Sequence, residues 1–225
     1  MINVAIDGPV GAGKSTVARE SAKRLGIIYV DTGAMYRACG LFCVRNGTEI
    51  SAENESAVAE LLNGSLELGI ALENGTQRVY VNGEDVSEAI RTPEMSRAAS
   101  DVSALPSVRA FLLDRQRALA ASESVIMDGR DIGTVILPDA DVKIFITAKP
   151  EIRAKRRYDE LKAKGSDVTF EEVLNDLNQR DYNDSHRAEA PLRQAEDAVL
   201  LDTSELDFEQ SVEAVIALIR KTGKI

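Results

Sequence analysis

The run Gly8-Pro9-Val10-Gly11-Ala12-Gly13-Lys14-Ser15 constrains the fold more than any other stretch of this 225-residue chain. Closely spaced glycines let a backbone turn tightly enough to aim several N–H groups at one point, which a regular helix or strand cannot do. Before the run stands the apolar segment Ile2-Asn3-Val4-Ala5-Ile6, and after it Val17, Ala18, Ser21, Ala22 and Leu25 recur at helical spacing. A second apolar run covers 27–30. Strand, glycine loop, helix, strand is the opening of a parallel α/β sheet. Runs at 124–128, 142–147 and 197–201 bring the expected strands to five.

The stretch from 64 to 92 breaks this pattern. Residues 66–72 and 77–81 alternate, with turn chemistry at Asn74-Gly75 between them and at Asn82-Gly83 after them. That predicts an antiparallel hairpin inserted in the α/β domain. Residues 151–164 and 169–187 are charged and helix-forming, joined by Gly165-Ser166-Asp167. A charged helical hairpin of this kind can serve as a mobile lid.

Charge and cysteine content narrow the function classes. The net charge of −10 repels a nucleic-acid backbone, so DNA and RNA are not expected partners. A cleft can still hold a local positive field for a small anion. Cys39 and Cys43 fall on one helix face, but with His186 as the one histidine they read as small buried apolar groups rather than zinc ligands. No apolar run is long enough to span a bilayer, and Met1-Ile2-Asn3-Val4 does not open like a signal peptide. The expectation is a reduced, cytoplasmic protein with no membrane partner, and nothing in the sequence demands more than a monomer.

The glycine run matches G-x-x-x-x-G-K-[ST] in full. Its backbone from Gly8 to Gly13, with Ser15 and Thr16 beyond, would cradle the phosphates of a nucleoside triphosphate. Lys14 would reach the β- and γ-phosphates, and the Ser15 hydroxyl would ligate Mg²⁺. An Asn-Lys-x-Asp base reader and a Leu-Ser-Gly-Gly signature are both absent, which disfavours a GTPase and an ABC-type ATPase. Three constellations would serve an acceptor. Thr32 and Arg37 follow the second strand, where ligands of parallel sheets bind. Asp128 ends the third apolar run, at the usual place for a ligand to magnesium-bound water, and Arg130 and Asp131 follow between glycines. Arg153, Arg156 and Arg157 share one helix face, as do Arg180, Asp184 and Arg187. A small-molecule kinase is the leading class. Its acceptor is left open among CMP, UMP, AMP and shikimate, and a nucleotide-binding switch without turnover is a further reading.

Together these segments resemble the bacterial cytidylate kinases, a nucleoside monophosphate kinase type of P-loop kinase. The resemblance rests on Ile6-Asp7-Gly8-Pro9 with the glycine loop, Asp31-Thr32-Gly33-Ala34-Met35-Tyr36-Arg37, Ile90-Arg91-Thr92, Asp128-Gly129-Arg130-Asp131-Ile132-Gly133-Thr134, Val142-Lys143-Ile144-Phe145, Arg180-Asp181, Arg187-Ala188 and Ala190-Pro191-Leu192. It implies a three-layer α/β/α fold with a five-stranded parallel sheet. The core would cover 1–62, 101–151 and 168–225, with a nucleotide-acceptor insert at about 63–100 and a short helical lid at about 152–167. It implies ATP as donor, Mg²⁺ as its metal, and CMP and dCMP as acceptors. Ser100, Arg109 and Asp131 would contact cytosine. Arg37, Arg130 and Arg187 would hold the acceptor phosphate, and Arg180 and Asp184 would bind near the sugar. Lys14, Arg130, Arg153 and Arg157 would act on the transferring phosphoryl group. Two departures stand out. Val10 is bulkier than the small residue often found there, and Asn183, Ser185 and His186 replace more basic or different polar residues.

Overall fold

The computed structural model describes residues 1–73 and 76–225. In chain order its elements are β1 (Asn3–Asp7), α1 (Lys14–Leu25), β2 (Ile28–Asp31), α2 (Thr32–Arg45), α3 (Glu55–Ser65), β3 (Leu68–Glu73), β4 (Thr76–Val81) and β5 (Glu84–Asp85). There follow α4 (Pro93–Ser103), α5 (Pro106–Ser122), β6 (Val125–Asp128), β7 (Val142–Thr147), α6 (Pro150–Ala163), α7 (Phe170–His186), β8 (Val199–Asp202) and α8 (Phe208–Arg220).

Five strands form one parallel sheet in the order β2-β6-β1-β7-β8, with Ile6 opposite Ile144 and Ile144 opposite Val199. These are the five strands expected from the apolar runs. On β1, Val4, Ala5 and Ile6 are wholly buried, so it reads as an unbroken apolar run rather than an alternating one.

The chain divides into two compact units, Met1–Ile27 with Ile126–Ile225, and Ile28–Val125. In the first, α1 packs on α8 and α6 lies against α7. Helix α7 starts with a reciprocal cap: the Thr169 hydroxyl accepts the Glu172 N–H, and the Glu172 carboxylate accepts the Thr169 N–H. In the second unit, α2 packs on α4 and on β4, and α3 on α5. Met35, Leu62, Ile90 and Leu112 are fully buried there.

The expected hairpin is β3–β4, antiparallel and extended by β5. Its Asn74-Gly75 turn lies outside the described residues. The Asn82-Gly83 turn has φ of 50° and 83°, the geometry that Asn-Gly favours between antiparallel strands. This unit begins at residue 28 and ends at 125. The hairpin buries Val79 and Val81 in the same core as α2. Cys39 and Cys43 are free thiols buried on α2. Burial pushes the Cys43 thiol up to about 11 and Cys39 higher still. Among the described residues, no helix is long and apolar enough to cross a membrane.

Candidate active site

Strand β1 ends on Asp7, and the glycine loop leads from it into α1. At Gly8, φ is +146° and a Cβ would lie 1.9 Å from the Ile146 carbonyl oxygen. Only glycine lets the loop leave the sheet there. Lys14 is buried, and its ammonium donates to the Pro9 carbonyl oxygen at 2.8 Å. Burial and then the Arg130 charge push its pKa down to about 7, against the opposing pull of Asp128 and Asp184. A triphosphate in the loop would supply the anion that this ammonium lacks.

The Ser15 hydroxyl donates to Asp128 Oδ2 at 2.6 Å, and the Asp128 carboxylate closes β6, 3% exposed. A hydroxyl and a carboxylate are hard oxygen donors suited to Mg²⁺, which takes few protein ligands beside phosphate and water. The residues present therefore fit that ion. Thr16 follows on α1, exposed.

After β6, the chain passes through Gly129, Arg130 and Asp131 into a single π-helical turn, Ile132–Ile136. Asp7 organises this turn. Its Oδ1 accepts the Ile132 N–H at 2.8 Å and its Oδ2 the Gly133 N–H at 2.7 Å. Burial outweighs these two donors and pushes the Asp7 pKa up to about 6.

Around the turn lies a cluster of opposite charges. Arg130 Nε donates to Asp184 Oδ2 at 2.7 Å. Burial alone would raise the Asp184 pKa, but Arg130, then Arg187 and Arg180, hold it below the usual carboxylate range. Arg187 donates to the Ala190 carbonyl oxygen from Nε at 2.8 Å and from Nη2 at 2.6 Å, and Nη2 lies 3.5 Å from Asp131 Oδ1. Arg180 is crowded: burial, then Arg130, push its pKa down, with Arg157 adding to the effect and Asp176 and Asp184 opposing it. Asn183, Ser185 and His186 are exposed and bond along α7 itself, where His186 stacks on Tyr182 at 4.0 Å.

The three arginines on one face of α6 find different partners. Arg157 Nη1 donates to Glu160 at 2.8 Å, and Arg156 Nη2 to the Thr203 carbonyl oxygen at 2.7 Å. Arg153, 4% exposed, donates to Ala148 O, Val10 O and Asp181 Oδ2. These three bonds use Arg153 Nε and both hydrogens of Nη1.

In the second unit, Thr32 is buried at the start of α2. Asp31 caps that helix: Oδ1 accepts the Ala34 N–H at 2.9 Å, and Oδ2 accepts Arg37 Nη2 at 2.8 Å. Burial raises the Asp31 pKa, but Arg37 foremost more than reverses this. Gln77 on β4 holds the Asp31 backbone at both ends, accepting its N–H at 2.7 Å and donating to its carbonyl at 3.2 Å. Ser100 lies half-buried on α4, its carbonyl accepting the Ser103 hydroxyl. Arg109 on α5 donates to the Ser103 carbonyl at 3.3 Å and lies 5.8 Å from the Tyr36 ring centroid.

Asp7, Gln77 and Asp181 did not emerge from the sequence as site residues. Two left a signal. Asp7 is a carboxylate ending a buried apolar strand, and Gln77 is a polar residue on the strand face that buries Val79 and Val81. Asp181 was visible only as part of the Arg180-Asp181 pair, because its partners Arg153 and Val10 are far along the chain.

A family model described as cytidylate kinase matches residues 4–221. A cytidylate kinase of Caldicellulosiruptor bescii is 50% identical over 223 residues, covering 99% of this chain and 97% of that protein. One from Caldanaerobacter subterraneus subsp. tengcongensis is 51% identical over 223 residues, covering 99% and 96%. A crystal structure of an uncharacterized protein from Eubacterium ventriosum aligns over 100% of both chains at 15% identity with a TM-score of 0.51, a likeness of fold alone. With a match along nearly the whole chain and relatives identical at about half of their positions, the chain belongs to the cytidylate kinase family.

Proposed function

We propose that this enzyme transfers the γ-phosphoryl group of ATP to CMP and dCMP, giving ADP with CDP or dCDP. The observation that carries this reading is the half-buried cluster of Arg130, Arg180, Asp184 and Arg187 beside the buried Asp131, in the same compact unit as the glycine loop. Guanidinium groups gathered in one cluster suit a bidentate grip on a phosphate. Family membership supplies the acceptor class.

The acceptor is already a phosphate anion with a second pKa of about 6, so no strong general base is required. The protein's work is in-line positioning and charge stabilisation. Lys14 and the glycine-loop N–H groups hold the donor phosphates. Mg²⁺ held by Ser15, and through water by Asp128, would neutralise charge on the β- and γ-phosphates. Arg37, Arg130 and Arg187 grip the acceptor phosphate, Arg180 and Asp184 bind near the sugar, and Arg157 reaches the group in transit. Asp131 accepts from the cytosine amino group, while Ser100 and Arg109 serve its O2 and N3 acceptors. Uracil would turn an oxygen toward the Asp131 carboxylate, setting acceptor against acceptor, and should be disfavoured.

The test is ADP formation from MgATP with CMP, dCMP, UMP, AMP and shikimate supplied one at a time. Turnover with CMP and dCMP well above the others is expected. Preference for another acceptor would overturn the base-reading roles of Ser100, Arg109 and Asp131.

A further inference from the structure

Val10 is held from three directions by the α6–α7 hairpin. Its carbonyl oxygen accepts Arg153 Nη1 at 2.8 Å, and its N–H donates to Asp181 Oδ1 at 3.1 Å. The same Arg153 nitrogen donates to Asp181 Oδ2 at 2.6 Å, while Arg153 Nε is anchored on the Ala148 carbonyl at 2.8 Å. The Val10 side chain packs against the small apolar cluster of Ala154, Val173 and Leu177. At the next residue, Gly11, a Cβ would lie 3.2 Å from Leu177 Cδ1 and 3.4 Å from Arg153 Cβ, so the hairpin closes on the loop backbone.

A glycine-rich loop has many conformations to lose when it wraps a ligand. Tying both peptide groups that flank Val10 removes part of that cost before the ligand arrives. The bulk of Val10 gives the loop an apolar foothold that a small residue would not.

We propose that Arg153 and Asp181 form a latch that positions the glycine loop for its donor nucleotide, so that Arg153 is a positioning residue rather than one that touches the transferring phosphoryl group. The inference rests on the reading that the loop binds ATP, and the identity of the acceptor does not enter it.

The experiment is calorimetric binding of MgATP, and separately of CMP, to the wild type, Arg153→Met, Asp181→Asn and the double variant, with kcat measured beside it. Each single variant should weaken MgATP binding by about tenfold and CMP binding by less than about twofold. The double variant should be no worse than the weaker single, because the two side chains act as one unit. Asp181→Glu retains the charge and should fall between the wild type and Asp181→Asn. If Asp181→Asn does not fold, Asp181→Glu and Arg153→Met still report the split between the two ligands. A kcat loss of about a hundredfold or more in Arg153→Met, with MgATP binding intact and Asp181→Asn silent, would place Arg153 on the phosphoryl group and overturn the latch. Equal weakening of both ligands with additive losses would also overturn it, as a general effect on the fold. Because ATP binding is read without an acceptor, failure of CMP to turn over would count against the proposed acceptor and leave the latch result standing.

Discussion

The Asp7 carboxylate is 5% exposed and holds the consecutive N–H groups of Ile132 and Gly133, directly after Asp131. One side chain thus joins the end of the glycine-loop strand to the turn that presents Arg130 and Asp131. This has a cost that depends on pH. The folded-state pKa of about 6 lies above the ordinary value of 3.8, so the group favours folding fully below about pH 4. That contribution is lost as the pH rises through 6, where a charge must be kept in a buried place. The difference converts to at most about 3 kcal/mol. Asp7→Asn has no such titration, although it leaves one N–H short of an acceptor at a cost of about 1–3 kcal/mol. Urea unfolding of the ligand-free protein between pH 4.5 and 7 should show the stability gap moving in favour of the variant as pH rises. A gap independent of pH would mean that Asp7 does not titrate in this window.

Among the elements, α7 carries the most chemistry. It brings Arg180, Asp181 and Asp184 to the first unit, fixed at its start by the Thr169–Glu172 cap. Its helical pattern was legible from residues 169 to 187, and so was the alignment of Arg180 with Asp184 and Arg187. The partners were not legible. A period of 3.6 reports which residues share a face but is silent on what faces them. Arg153, Arg156 and Arg157 make the point, since one shared face gave three separate destinations. Arg180, whose pKa is lowered by burial and by Arg130 and Arg157, should gain from an anion beside it. Inorganic phosphate should therefore raise the melting temperature more than sodium chloride of equal ionic strength, in proportion to ligand binding by the native state. Arg180→Met should remove most of that excess. Equal shifts in phosphate and chloride would show that the cluster holds no anion.

On the scale of the whole molecule, a net charge of −10 coexists with a local concentration of half-buried arginines. Total charge therefore said what the surface repels, not what the site attracts. The two compact units divide the proposed ligand contacts, and hydrogen exchange read by mass spectrometry should separate them. MgATP should protect peptides covering 8–16, and CMP those covering 32–37 and 100–109. Protection by CMP confined to the glycine loop would contradict the proposed base contacts. The sequence alone determined the five strands of the parallel sheet, the glycine loop and the family, because apolar period, glycine spacing and local motifs are properties of neighbours along the chain. Tertiary structure alone decided that Asp7 anchors a turn 125 residues away, that Gln77 holds Asp31, and that Arg153 is paired with Asp181 and bonded to Val10. A buried polar group must find its partner wherever folding brings one, and that partner's position is written in no local pattern.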